Sequence, residues 1–246
     1  MKSVKSSSAP RLYISQCLRQ GSEIALPEDA RAHAAALRLK AGWAVRLFDG
    51  TGGEYAAVLV QDGRKLRARI GTFTNSSLES PLRIRLAQCL SSGDRMDITL
   101  QKATELGVTA IQPLRSERSI IHLDDERMAR RLTHWQNVVI SACEQCGRNS
   151  VPTVAPTADL LPWLGAASND GLRLMLSPEA TIGLRDLERT TAITLLVGPE
   201  GGLSPQEQQA AQAAGFIGIR LGPRVLRTET APLAAMAALQ SMWGDL

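Results

Sequence analysis

The sequence predicts an α/β protein in two parts: a small β-barrel over residues 1–75, then a mainly parallel sheet with helices on both faces over residues 76–246. Three observations carry this. Residues 11–75 read as short alternating runs around glycine-rich turns, the pattern of half-buried strands. From residue 82 onward apolar runs alternate with longer helical stretches, the pattern of βαβ units. The charge divides at the same place: residues 1–75 hold twelve Lys and Arg against six Asp and Glu, whereas the rest holds sixteen against eighteen.

The bulk numbers exclude several classes. A chain of 246 residues with 44% apolar content can bury one large core or two modest ones. No apolar run approaches the roughly 20 residues that span a bilayer. The first ten residues, MKSVKSSSAP, are basic and Ser-rich with no apolar stretch behind them, so they read as a short disordered lead rather than a secretory signal. Four cysteines without an export signal suit a reducing cytoplasm. A basic module joined to a near-neutral one suits a polyanion-binding domain attached to something else.

In chain order, RLYIS is a short alternating run, followed by an Ala-rich helix from about Asp29 to Leu39. WAVRLFDG and TGGEYAAVLV are two strands around a glycine-rich turn. KLRARIGTF alternates basic and apolar residues, like a strand with an exposed basic face. NSSLESP (75–81) is the expected linker. LRIRLAQCL is the next strand, and a helix from about Arg95 follows, with Asp94 as its N-cap and Gly107 just past its end. After the strand VTAIQPL, Asp124 or Asp125 starts a long helix that runs to Gly147. GLRLMLS (171–177), AITLLV (192–197) and FIGIRL (216–221) are the later strands.

The most informative stretch is VGPEGGLSPQE, residues 197–207. Ser204, Pro205 and Glu207 fit N-cap, N1 and N3 of a helix, a capping box with the preferred proline, and Gly215 ends that helix. The stretch lacks the G-x-G-x-x-G order of a dinucleotide site and the G-x-x-x-x-G-K-[ST] of a phosphate loop, and no lysine lies near it. Its glycines therefore serve close backbone approach to something less anionic than a triphosphate. LGPRVLRTETAP (221–232) and LSPEA (176–180) also follow apolar strands. In a parallel sheet the three strand ends place three loops on one edge, where ligands bind. Backbone-rich loops with few charges suit a purine with a zwitterionic amino-acid tail, which points toward S-adenosylmethionine, although spacing alone does not single it out.

Five stretches then carry a resemblance: LQKATELGV (100–108), SER (116–118), ACEQCGR (142–148), LLVGPEGGLSPQE (195–207) and LGPRVLRTETA (221–231). In content and order they resemble the ribosomal RNA small subunit methyltransferase E family, of the SPOUT class, and the LFDG region looks like that family's PUA-like barrel. The resemblance covers nearly the whole chain. It implies a SPOUT-type trefoil knot in the C-terminal domain, a homodimer, S-adenosylmethionine as methyl donor, and N3-methylation of one uridine, position 1498, in the 16S rRNA of the small ribosomal subunit.

On this resemblance the donor rests against Leu176, Leu196, Val197, Gly198, Gly201, Gly202, Leu221, Gly222, Arg224, Val225 and Leu226. Arg227 and Glu229 are expected to meet the substrate. Arg227 stabilises the developing uridine anion or holds a phosphate; Glu229 accepts the N3 proton, directly or through water. Read from the residues alone, Glu229 is also a first-turn carboxylate at a helix N-terminus. Glu200 reads as an acceptor for its own glycine turn in preference to a catalytic group. Arg11 and Arg38 match family positions in the basic region and are expected to contact rRNA, the alternative for each being a solvated charge. Arg115, Arg118 and Arg148 match family arginines that either line the substrate cleft or tie helix ends together. Lys102 and Glu105, three apart on one helix, form a pair.

Other motifs are set aside. Cys143 and Cys146 form a C-x-x-C, but a zinc site needs two more ligands, and His33, His122 and His134 supply no H-x-x-x-H; no metal is expected. The end of a long helix is also the wrong place for a thioredoxin-like motif. His134 and Trp135 read as packing or dimer contacts. Met236, Leu239 and Trp243 recur at helical spacing, a buried face on the residues alone and the dimer interface on the resemblance. The competing readings are a non-catalytic RNA-binding protein, against which the intact GPEGG and LRTETA speak, and a methyltransferase of another RNA target. A nucleotide-binding dehydrogenase lacks its phosphate fingerprint.

Overall fold

The computed structural model describes residues 9–63, 65–119, 124–166 and 171–246. The N-terminal lead and His122 lie outside the described residues. The chain divides into two units. The first is Met1–Glu79 with Cys143–Val151, and the second is Ser80–Ala142 with Pro152–Leu246. The break after Glu79 falls inside the expected linker. The return of residues 143–151 to the first unit has no signature in local sequence.

The first unit is built on a five-stranded, mainly antiparallel sheet. Its strands are β1 (Arg11–Tyr13), β2 (Glu23–Ala25), β3 (Ala44–Phe48), β4 (Glu54–Asp62) and β5 (Lys65–Thr74), with helix α1 (Glu28–Ala36) between β2 and β3. The spatial order is β1-β3-β4-β5-β2, with β1 parallel to β3 and the other pairs antiparallel. Alternation sets the burial: Val45, Leu47, Ala57, Leu59, Ala68 and Ile70 share one core with Leu12, Ile14, Ala30 and Ala34. The short edge strand β2, with exposed Glu23 and Ala25 either side of half-buried Ile24, went unpredicted.

Helix α1 ends in a left-handed residue that is not glycine. Arg38 has φ +56, Leu39 N donates to Ala34 O and Arg38 N to Ala35 O, each at 2.9 Å. This is the Schellman closure that usually employs glycine. Residues 148–151 complete the unit. The Arg11 guanidinium pairs with Glu54 and donates to Arg148 O (2.8 Å) and Asn149 Oδ1 (2.6 Å), and Arg148, itself buried, donates through Nε to Glu79 Oε1 (3.1 Å).

The second unit holds a parallel sheet in the order β11-β13-β10-β12-β6-β7-β8, with β9 also paired to β7. The strands are β6 (Arg83–Cys89), β7 (Val108–Arg115), β8 (Thr153–Val154), β9 (Ala158–Asp159), β10 (Leu172–Leu176), β11 (Ile182–Gly183), β12 (Ala192–Val197) and β13 (Ile217–Arg220). Every pairing is parallel. The helices are α2 (Gly93–Glu105), α3 (Asp125–Cys146), α4 (Leu160–Ala166), α5 (Pro205–Ala213) and α6 (Thr230–Trp243). Leu160 and Leu164 of α4 and Ala211 of α5 share a core with Ala87, Cys89, Leu114, Met175 and Leu196 of the sheet. On the other face α2 and α6 pack together and against β7 and β12. AITLLV is central and covered on both sides, which is why it reads as a continuous apolar run rather than an alternating one.

Helix boundaries follow the sequence closely. Two differences are instructive. The N-cap of α2 is Ser92, not Asp94, and its side chain makes no capping bond. Helix α3 begins at Asp125 and its last residues, from Cys143, belong to the first unit. Met236 and Leu239 are 0% exposed and Trp243 8% within the single chain. The face expected at a dimer interface is therefore already filled by the chain's own core.

Candidate active site

Strands β6, β10, β12 and β13 run parallel, so their C-terminal ends and the loops after them lie on one edge of the sheet. Those loops enclose a cavity of ≈ 530 Å³ in the second unit, within the range of small-molecule sites. Leu176, Val197, Gly198, Gly201, Gly202, Leu221, Gly222, Arg224, Val225, Leu226 and Arg227 all line it. Leu196 does not: it is 0% exposed and points into the core beneath, as alternation along β12 requires once Val197 faces the cavity. Glu229 is not a lining residue either; its Oε2 lies 3.8 Å from Nε of Arg95, which is one.

The loops are held by their own hydrogen bonds. Gly202, at φ +68, closes a tight turn by donating from its N–H to Pro199 O at 2.9 Å. Ser204 then caps α5: its Oγ accepts from Glu207 N (3.4 Å) and Glu207 Oε2 accepts from Ser204 N (2.8 Å), the expected capping box. The other oxygen of that buried carboxylate accepts from Glu117 N at 2.7 Å. Thr228 Oγ1 donates to Gly198 O (2.9 Å), and Gln88 Nε2 to Thr228 Oγ1 (3.3 Å), so the 221–232 loop is fastened across the ends of β12 and β6.

The polar end of the cavity is built on α2. Glu200 Oε1 accepts from Ser92 N (3.1 Å) and from Arg95 Nη1 (2.8 Å). Glu200 therefore braces the β6–α2 turn rather than its own glycine turn alone. Burial works to raise its carboxyl pKa, but the N–H groups of Ser92 and Glu200 itself, with Arg95, outweigh burial and hold it below the usual carboxylate range. Arg95 Nε lies 3.8 Å from Glu229 Oε2. The Oε2 atoms of both glutamates are buried and have no hydrogen-bond partner among the described residues. Glu229 is the N-cap of α6 but makes no capping bond.

The remaining candidates separate. Arg118 Nη1 donates to Gly201 O (3.0 Å) and supports the cavity wall. Arg115 pairs with Asp159 (2.7 Å), and Arg148 is buried in the first unit. Arg11 is committed to Glu54, Arg148 and Asn149, whereas Arg38 is exposed. His33 pairs with Glu144 (2.6 Å) and His134 with Asp97 (2.8 Å); Trp135 is fully buried. Lys102 and Glu105 pair at 2.7 Å as expected. The sequence points to three strand ends and leaves out Arg95. The fourth, β6, was legible as a strand followed by a helix, and its first turn carries Arg95.

Residues 78–240 match the family model described as an RNA methyltransferase domain. A ribosomal RNA small subunit methyltransferase E from Buchnera aphidicola (subsp. Schizaphis graminum) is 36% identical over 240 residues, spanning 96% of this chain and 98% of that protein. A crystal structure of a ribosomal RNA small subunit methyltransferase E from Neisseria gonorrhoeae, bound to S-adenosyl methionine, is 47% identical with a TM-score of 0.92, covering 96% of this chain and 99% of that one. A Legionella pneumophila protein described as a methyltransferase, solved with the cofactor SAM, is 37% identical with a TM-score of 0.93, covering 97% and 99%.

Proposed function

Because the chain belongs to the ribosomal RNA small subunit methyltransferase E family, we propose that it methylates N3 of uridine 1498 in the 16S rRNA of the small ribosomal subunit, with S-adenosylmethionine as donor. The observation that carries this reading is the cavity on the sheet edge, with backbone-rich glycine loops for walls and Glu200 and Arg227 among its charged lining. Its volume and polarity suit a nucleoside joined to an amino-acid tail, with Glu200 a charged acceptor in its lining.

Leu176, Val197, Gly198, Gly201, Gly202, Leu221, Gly222, Arg224, Val225 and Leu226 hold the donor, while Leu196 supports them from below. When bound, the sulfonium supplies the methyl group: the N3–C bond forms as the S–C bond breaks, and a neutral thioether leaves. The protein's part is to present N3 in line and to handle its proton. Glu229, set off the cavity lining with its Oε2 unbonded among the described residues, takes the N3 proton through a bridging water. Arg227, exposed at the cavity, stabilises the negative charge that develops on the uracil ring or holds a neighbouring phosphate. The basic first unit docks the rRNA, with Arg38 a contact and Arg11 acting from inside the unit to shape it. The active form is a homodimer. Since Met236, Leu239 and Trp243 are buried within one chain, its interface uses other surfaces, such as exposed Met242 of α6 and Ile98 of α2. No helix among the described residues is long and apolar enough to cross a membrane, and an rRNA substrate suits a cytoplasmic protein.

The test is methyl transfer from labelled S-adenosylmethionine to small subunits lacking the modification, with digestion and mass identification of the nucleosides. N3-methyluridine at a single position is expected. Donor binding without incorporation into subunits or bare rRNA overturns the target, and absent donor binding favours the non-catalytic alternative. Sedimentation of the free protein tests the dimer.

A further inference from the structure

We propose that Arg95 is a positioning residue for methyl transfer: one guanidinium on the first turn of α2 joins the carboxylates of two cavity loops and keeps Glu229 Oε2 in place without occupying it. The inference rests on the reading that Glu229 accepts the N3 proton. Its observations are independent of that reading. Arg95 Nη1 is hydrogen-bonded to Glu200 Oε1 at 2.8 Å, while Nε stands 3.8 Å from Glu229 Oε2.

The two distances make two different interactions. At 2.8 Å a guanidinium N–H fills a lone pair of the carboxylate. At 3.8 Å the charges still attract, but the separation is too long for a hydrogen bond, so the lone pairs stay free. A proton acceptor needs that second arrangement, because a tight ion pair would fill the lone pair that must receive the proton. Surroundings strengthen the effect. The side chains of Glu200 and Glu229 are 18% and 17% exposed, and the Oε2 atom of each is buried, so screening by solvent is reduced.

The placement also explains why a helix supplies the cation. Glu200 sits in the turn after β12 and Glu229 at the start of α6, on two separate loops. Arg95 belongs to a thirteen-residue helix whose buried face is anchored by Met96, Thr99, Leu100 and Ala103. A rigid element thus carries the group that registers two loops against each other, and Ser92 N, at the start of the same helix, fastens Glu200 a second time (3.1 Å).

The experiment compares R95Q, R95K, E229Q and the double variant R95Q/E229Q. Each is assayed for single-turnover methyl transfer to unmodified small subunits, KM for the subunits, S-adenosylmethionine Kd by calorimetry, and thermal unfolding. R95Q is expected to slow single-turnover transfer at saturating donor and subunits by about 10- to 100-fold, a larger change than any in donor Kd or subunit KM. R95K is expected to recover part of the rate, since an ammonium keeps the charge but not the fork. The double variant is expected to be no slower than E229Q, because Arg95 acts through Glu229.

Parent-like transfer in R95Q overturns the proposal, as do losses confined to KM or donor Kd, or losses that multiply in the double variant. Parent-like transfer in E229Q refutes the proton-acceptor reading itself, a separate arm of the same assay, and the proposal falls with it. Should R95Q unfold, R95K alone and in the E229Q background gives the same comparison: slowed alone, and no further slowed in that background.

Discussion

Replacing Glu207 by alanine tests whether the glycine turn of the cavity depends on one buried carboxylate. Glu207 is 3% exposed. Its Oε2 accepts from Ser204 N (2.8 Å) and its Oε1 from Glu117 N (2.7 Å). The alanine variant removes both acceptors at once, orphaning the buried Ser204 N–H and the part-buried N–H of exposed Glu117. A buried orphan costs about 1–3 kcal/mol and one that water can reach costs less, so the loss expected is about 1–4 kcal/mol. The Ser204 Oγ bond is long at 3.4 Å, and S204A should cost only about 0.5–1 kcal/mol, the low end for a cap. E207Q keeps one carbonyl oxygen and turns an NH2 toward the second donor, so it should fall between E207A and the parent, near the cost of one orphan. Calorimetric melting and urea midpoints give the ranking. Amide exchange over residues 198–214 locates it, since the turn and the first turn of α5 should open first. A loss below about 1 kcal/mol in E207A, or equal losses in E207A and E207Q, would show that the carboxylate does not hold the turn.

Three further outcomes follow from the same geometry. R11A should lower the melting temperature, because it breaks the ties to Glu54, Arg148 and Asn149, whereas R38A should leave melting unchanged and reduce the salt slope of rRNA binding by about one; filter binding across a salt series with parallel melts distinguishes the two. Burial, above all, pushes the thiols of Cys89 and Cys143 from 9.0 up to about 12. The folded state keeps these thiols protonated while the unfolded chain ionises, so stability should decline as pH climbs from about 9 toward 12, and a thiol reagent should modify exposed Cys17 before either; alkaline melts of C89A that decline as steeply as the parent would contradict this. G222A should weaken donor binding and cost about 1–3 kcal/mol, because Gly222 sits at φ +112 with open space around its Cβ position, so the cost is backbone strain rather than a clash; unchanged melting and donor Kd would show that the loop relaxes freely.

Much of the cavity was legible because its elements obey local rules. Ser204, Pro205 and Glu207 announce a helix start through capping chemistry that involves neighbours three apart, and AITLLV announces a central strand by being apolar throughout. The residues missed or displaced are those whose role depends on distant chain. Leu196 and Val197 are adjacent and similar, and only the pleat of β12 decides that one faces the core and the other the cavity. Arg95 is an ordinary helix cation until the sheet brings Glu200 and Glu229 to it.

The strand and helix order of the parallel unit and the capping chemistry of its glycine turn could be read from sequence, because periodicity, caps and breakers act within a few residues. Tertiary structure decided the rest. It returned residues 143–151 to the first unit, where they turn Arg11 from an apparent surface cation into an internal clasp. It also set the spacing of Arg95 between two carboxylates, close enough to bond one and far enough to leave the other open. Such contacts join residues separated by more than a hundred positions, and their free energy depends on burial and distance, quantities that exist only once the chain has closed on itself.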